Sequence, residues 1–468
     1  MQFPFGRAAL AILIVTLSTG VWLLYARMSA AQIDEPDLVF ITFTKEHAEA
    51  YRPIIAEFEA EKNVTVQLQV VDIKAVQGRL QSAIQAGAQT PDMVELIDGS
   101  LGFFTRGPID DVGFVDLTDK IESSGLGERI IPSRFAMWSD RGHTFALPHD
   151  LHPVMLAYRR DLVEALEIDV EELTTWDKFA EVGRRVTQDT DGDGVVDHYM
   201  LDLLLDSGDQ IRMFIAQHGG QVFDADGHVA FNSNATADVI EWYVKQCFGD
   251  TRIVFSCGWG QTLAKAMSDG LVLFYVTPDW RTRQFDMDVP AVGGRMDLMP
   301  LPAWEEGGPR TSTWGGTGLA FTRQVQERGK FDLAWELAMR LYYDPEKLGE
   351  RFIDTNILPP VTEAFDLPEL AEPRPFYSGT PIGREYAALA PDVPAIPSSP
   401  YAMLAGQKLL EAFTRSAQYY EANGEAGLRE FIEGELSRAE EQVKRRMAHN
   451  VLYNADANAN AEGEAGDE

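Results

Sequence analysis

Asp189-Thr-Asp-Gly-Asp-Gly-Val-Val-Asp197 is the sharpest local motif in this 468-residue chain. Carboxylates at alternate positions, with glycines that permit a tight turn, can converge on Ca²⁺. A full EF-hand loop places a bidentate glutamate at its twelfth position, where this chain has Met200. Asp189, Asp191, Asp193 and Asp197 therefore read as a structural Ca²⁺ loop or as an acidic surface turn, and neither implies a reaction. A second polar group, His149, Asp150 and His152, sits on a segment punctuated by Pro148 and Pro153. Each proline biases its preceding residue away from helix, so the segment is extended. Polar side chains on a strand passing between two lobes suit a ligand cleft better than a core. Signatures of catalysis are missing from the sequence: it has no G-x-S-x-G, no H-E-x-x-H and no phosphate loop. Cys257-Gly-Trp-Gly has no protease context, and carboxylates are too abundant here to mark a glycosidase pair.

The elements that position these residues follow from periodicity. Leu38–Phe43 reads as a strand and His47–Lys62 as a helix with Tyr51, Ile54, Ile55 and Phe58 on one face. Val64, Val66, Leu68 and Val70 alternate as in a strand. Ile73, Val76, Leu80 and Ile84 give a helix closed near Gly87, and Met93–Ile97 is the next strand. This β-α-β-α-β order predicts a sheet with helices on its faces. In open α/β sheets ligands bind beyond the carboxyl ends of strands, which singles out Thr42, Phe43 and Thr44, and then Asp98, Ser100 and Phe103. Val154 to Tyr158 is apolar at every position and predicts a strand buried on both faces. Asp161 is a candidate cap for a following helix, and Thr174 or Thr175 for the one after it.

The totals set bounds. A chain this long predicts two lobes. Lys and Arg number 40 against 73 Asp and Glu, a net charge of −33. That balance argues against nucleic acid and against anionic membrane surfaces as partners. Cys247 and Cys257 leave a disulfide open. Residues 1–31 are a targeting segment: Arg7 precedes the uncharged run 8–25, about 27 Å long as a helix. It is either a signal peptide cut after Ala31 or an uncleaved N-terminal anchor. The length of the run and the interfacial Trp22 and Tyr25 favour the anchor. Residues 454–468 predict a disordered acidic tail.

An ordered series of short motifs carries a resemblance. Leu147-Pro148 with Asp150, then Tyr158, Asp161-Leu162 and Thr175-Trp176-Asp177 with Phe179 are similar to the bacterial extracellular solute-binding proteins of carbohydrate ABC importers. Ala86-Gly87 with Pro91-Asp92, Phe231-Asn232-Ser233, Trp314-Gly-Gly-Thr-Gly-Leu-Ala320 and Leu358-Pro359 continue the likeness across about residues 38–440. Arg159-Arg160 departs from the Asn-Lys usual there. The resemblance implies a two-lobed α/β fold of the periplasmic-binding-protein class II, with hinge strands between the lobes. One lobe is expected at 36–150 and 300–345, the other at 151–299 and 346–450. It implies capture of a small-molecule sugar or oligosaccharide by hinge closure, delivery to ABC permease subunits, an extracytoplasmic location, no required cofactor and a monomer. Trp280 and Trp314 stand where relatives place ligand contacts, and a flat ring can stack on a pyranose face. Tyr401 stands where relatives often carry another aromatic contact. Asp98, Asp150, His152 and Asp279 complete the expected cleft, since carboxylates accept from sugar hydroxyls. A membrane-tethered sensor, or a glycan-active enzyme, is the alternative.

Overall fold

The alternation of apolar runs and amphipathic stretches resolves into two principal sheets with helices on their faces. This computed structural model describes residues 15–20, 22, 35–189 and 192–451. Its principal strands in chain order are β1 (Leu38–Thr42), β2 (Val66–Val70), β3 (Met93–Ile97), β4 (Ala146–Pro148), β5 (Val154–Arg159), β6 (Tyr199–Asp202), β7 (Val272–Pro278), β8 (Met296–Pro300) and β9 (Thr317–Phe321). The helices that shape the site and its supports are α1 (Lys45–Lys62), α2 (Ile73–Ala86), α3 (Trp176–Val186), α4 (Gly208–Gln217), α5 (Asn234–Cys247), α6 (Asp279–Asp288), α7 (Phe331–Tyr343), α8 (Pro345–Thr355), α9 (Ala402–Asn423) and α10 (Leu428–Ala448).

Side-chain caps start these helices, α3 at the expected Thr175 and α1 two residues before the expected His47. Thr44 caps α1 by accepting the His47 N–H, and Thr175 caps α3 by accepting the Lys178 N–H. Asp161 does not cap; it lies inside its helix and pairs with Arg159 at 2.7 Å.

The first sheet runs β2-β1-β3-β9-β4, with β1 parallel to β2 and β3, and β9 antiparallel to β3 and β4. The second runs β8-β5-β7-β6, with β5 antiparallel to both neighbours and β6 parallel to β7. Side chains alternate across β5: Val154, Leu156 and Tyr158 enter one apolar cluster, Met155 and Ala157 the one on the opposite face. Burial on both faces is why this strand carries no polar residue before Arg159.

The chain crosses between the sheets at 149–153 and 301–316, a third segment at 356–361 passes from the Leu358 cluster to the Val361 cluster, and the three brace one another. Leu151 donates its N–H to the Leu358 carbonyl at 3.1 Å, and Pro153 bridges Thr313. Helix α8 touches both lobes. Its Leu348 packs with the first-sheet core, and its Phe352 with a second-sheet cluster. The boundary drawn at 346 from the sequence therefore falls within a shared segment.

Helices α9 and α10 pack on α5 of the second lobe, and α10 buries Leu428, Ile432, Leu436, Ala439 and Val443 at helical spacing. Before them, residues 393–401 strap the lobes together. Val393 packs in the second lobe, Ile396 against the first, the Ser398 N–H donates to the Ala136 carbonyl, and Tyr401 returns to the second-lobe core. Gly102 admits the strap, because a Cβ there would stand 1.9 Å from the Ser399 carbonyl oxygen.

Cys247 and Cys257 are separate buried thiols. The expected segment 8–25 falls mostly outside the described residues, and 454–468 wholly outside. Among the described residues no helix is long and apolar enough to cross a membrane.

Candidate functional site

A cleft of about 1110 Å³ lies between the lobes. Phe43 and Thr44 after β1, with Asp98 and Ser100 after β3, form the first-lobe wall. His152, Trp314 and Gly315 of the hinge form its floor, and Arg212, Trp259, Trp280 and Met403 the second-lobe wall. The first-lobe contributors lie beyond the carboxyl ends of parallel strands, the place where such sheets bind ligands.

Three indoles dominate the second-lobe side. Trp259 stacks on Trp280 with ring centroids 6.3 Å apart and planes 21° from parallel. Trp314 meets Trp280 edge-on at 5.9 Å. The Trp280 indole N–H donates to the Trp314 carbonyl at 3.0 Å, which fixes the ring. Trp314 is 7% exposed, whereas Trp259 is 47% exposed and offers a flat apolar face. Beneath them the buried Arg281 guanidinium lies 4.9 Å from the Trp259 ring centroid and 3.4 Å from Asp202. Burial pulls its pKa below the ordinary arginine value despite Asp202.

Charge spans the cleft at one point. Asp98 of the first lobe pairs with Arg212 of α4 in the second through both carboxylate oxygens. Burial disfavours the guanidinium charge, but Asp98 and Asp209 more than offset it and raise the Arg212 pKa.

The hinge floor is a buried chain of ionisable groups. His152 Nε2 lies 3.1 Å from Asp150 Oδ2, and His152 Nδ1 lies 2.6 Å from Asp279 Oδ1. Burial disfavours the imidazolium, yet the Asp150 and Asp279 carboxylates outweigh it and raise the pKa to about 9. Asp150 also accepts from Arg134 Nη2 at 3.1 Å and from the Thr317 N–H at 2.9 Å. Burial pushes its carboxyl pKa up, but His152 and His149 hold it well below the ordinary value. Gly316 lets this chain close, since a Cβ there would meet Arg134 Nη2 at 2.7 Å.

The geometry separates the expected ligand contacts. Asp98, His152, Trp280 and Trp314 line the cleft. Asp150, Asp279 and Tyr401 do not. Asp150 and Asp279 are wholly buried, their oxygens spent on His152, Arg134 and the N–H groups of Thr317, Trp280 and Leu358. Tyr401 points into the second-lobe core, and its neighbours Ala402 and Met403 border the cleft instead.

A sequence profile of the bacterial extracellular solute-binding proteins matches residues 53–375. This chain belongs to that family. It is a binding protein and not an enzyme. An arabinooligosaccharide-binding protein of Halalkalibacterium halodurans is 24% identical over 353 residues, covering 73% of this chain and 75% of that one. A lactose-binding protein of Rhizobium radiobacter is 25% identical over 368 residues, covering 76% and 80%. The solved structure of the sugar-binding protein MalE from Xanthomonas citri superposes with a TM-score of 0.69 at 18% identity, over 88% of this chain and 98% of that one. The fold is accordingly the two-lobed α/β fold of the periplasmic-binding-protein class, and its setting is extracytoplasmic.

Trp259 and Arg212 are among the residues of this solute-binding protein's cleft that escape sequence reasoning. Trp259 sits in a Gly-Trp-Gly loop with no periodicity, and its signal is a large aromatic between Gly258 and Gly260, both at positive φ. Arg212 is one charge in a helix otherwise buried at Ile211, Met213 and Phe214. In the aspartate loop, Asp189 accepts from the Gly192 and Gly194 N–H groups at 2.7 and 2.8 Å, and Asp193 from the Val195 N–H at 2.8 Å. Asp191 lies outside the described residues.

Proposed function

We propose that this solute-binding protein captures an oligosaccharide in the inter-lobe cleft and hands it to an ABC permease at the membrane. The observation that carries this reading is the tryptophan cluster at the cleft wall, with Trp259 exposed beside the fixed ring of Trp280. Stacking on sugar rings needs such faces. A volume of about 1110 Å³ exceeds the range of about 300–1,000 Å³ usual for small-ligand pockets, which favours more than one sugar ring. Glu46, Asp98, Asp206, Asp209 and Asp288 face the cleft against Arg212 and Arg283, a balance that favours a neutral hydroxyl-rich ligand over an anion. The named ligands of the two relatives, arabino-oligosaccharides and lactose, are the first candidates.

Capture proceeds by hinge closure, the ligand shifting the open–closed balance through contacts available only when both walls meet it. In this reading the chain acts as a monomer, and residues 8–25 remain as its membrane anchor. An N-terminus at Gln32 in mass spectrometry of the native protein overturns the anchor. A thermal-shift screen of arabino-oligosaccharides, lactose, maltodextrins, monosaccharides and polyols tests the ligand class, since native-state binding raises Tm. An oligosaccharide that raises Tm more than its monosaccharide is expected. A response confined to polyols or monosaccharides overturns the reading.

A further inference from the structure

Below the cleft, apart from the tryptophans, three ligand-type side chains meet. Glu95 comes from β3, His47 from the first turn of α1 and His149 from the start of the hinge crossing. They are 0%, 5% and 1% exposed. One donor atom of each lies within 4.8 Å of the other two. The two imidazole centroids are 4.5 Å apart, and His47 Nδ1 lies 2.9 Å from Glu95 Oε2.

Outer partners orient this trio. His149 Nδ1 lies 3.2 Å from Asp150 Oδ2, so a ring N–H on that carboxylate leaves Nε2 with a bare lone pair. That Nε2 is buried and meets no hydrogen-bond partner among the described residues. Buried polar atoms rarely go unpartnered. Glu95 Oε1 accepts from Tyr51 and Tyr342 hydroxyls at 2.7 Å each, and Oε2 from the Thr42 hydroxyl at 2.5 Å. Histidine held by a carboxylate, and carboxylate held by hydroxyls, is the outer arrangement that metal-ligating groups carry.

We propose that His47, Glu95 and His149 bind a divalent transition-metal ion of the zinc type. Two imidazoles and one carboxylate are a zinc donor set, too rich in nitrogen for calcium. The ion takes the place of the His47 ring contact at Glu95 Oε2, with a proton released or the ring in its other tautomer. His47 also lines the cleft, which is the route of entry. Bound there, the ion ties α1, β3 and the hinge crossing together, one residue before Asp150.

The test uses the full chain, stripped with chelator and then titrated with Zn²⁺ or Co²⁺. An exposed trio, Asp224, Asp226 and His228, is the competing cluster and is removed in His228→Ala. One equivalent is expected in wild type and in His228→Ala, with at least tenfold weaker binding in His47→Gln and His149→Gln. Tetrahedral Co²⁺ absorption should appear in wild type and vanish in both histidine variants. Circular dichroism checks folding; if His149→Gln is unfolded, His47→Gln decides. No ion bound by wild type, or full binding retained by folded His47→Gln, overturns the site.

Discussion

Asp98, at the end of the third strand of one lobe, grips Arg212 of the other lobe through both carboxylate oxygens. Their side chains are only 9% and 19% exposed, so the pair lies between a surface bridge and a buried one. Removing one partner should cost the closed arrangement about 1–3 kcal/mol. Small-angle scattering of ligand-free Asp98→Asn should show a larger radius of gyration than wild type. Added salt should move wild type the same way and the variant less. Identical scattering profiles for the two proteins would falsify a closing role for the pair.

The tryptophans should divide by exposure. Trp259→Ala should weaken sugar binding by about 1–3 kcal/mol while leaving the ligand-free Tm nearly unchanged. Trp314 packs in the second-lobe core, so Trp314→Ala should destabilise the ligand-free protein by about 3–5 kcal/mol. Calorimetry on both variants checks this. A strong loss of Tm in Trp259→Ala would place that ring in the fold rather than the cleft.

His152 gives the hinge a pH dependence. Its folded pKa of about 9 lies above the ordinary 6.5. A raised histidine pKa contributes stability that is complete below about pH 6.5 and lost as pH rises through about 9. The contribution is at most about 3 kcal/mol. Asp150 and Asp279 are the carboxylates that face the ring, at 3.1 and 2.6 Å. Wild-type Tm should therefore fall between about pH 7 and about pH 9.5, and fall less in His152→Asn. Asparagine is the apt replacement because His152 has φ of 53°. Parallel Tm curves for the two proteins contradict the assignment.

Structural calcium at the loop through Asp189, Asp193 and Asp197 should show as a Tm lowered by chelator and restored by Ca²⁺ but not by Mg²⁺. An unchanged Tm leaves the loop as a turn closed by the Asp189 bonds to Gly192 and Gly194.

Much of the fold was legible because its signals are local. The β1-to-β3 alternation, the cap at Thr175 and the doubly buried β5 each need only a dozen residues of pattern. Asp98 was legible from the strand-end rule, and Trp280 and Trp314 from resemblance. Asp150 and Asp279 misled because residue type names an acceptor without saying what it accepts from. In the fold their oxygens are taken by hinge N–H groups and His152. Arg212 and Trp259 stayed hidden because their meaning depends on partners across the cleft, Asp98 in one case and Trp280 in the other.

Strand β9 stands between β3 and β4, inside the first sheet, although it comes from residues 317–321. The first lobe thus cannot finish its sheet until most of the chain has been made. Until then β3 and β4 present open edges, and contacts between residues far apart in sequence make closure slow. The strand that completes the first lobe is thus the last among the described residues, and it joins β3 and β4 edges that would otherwise stand unpaired.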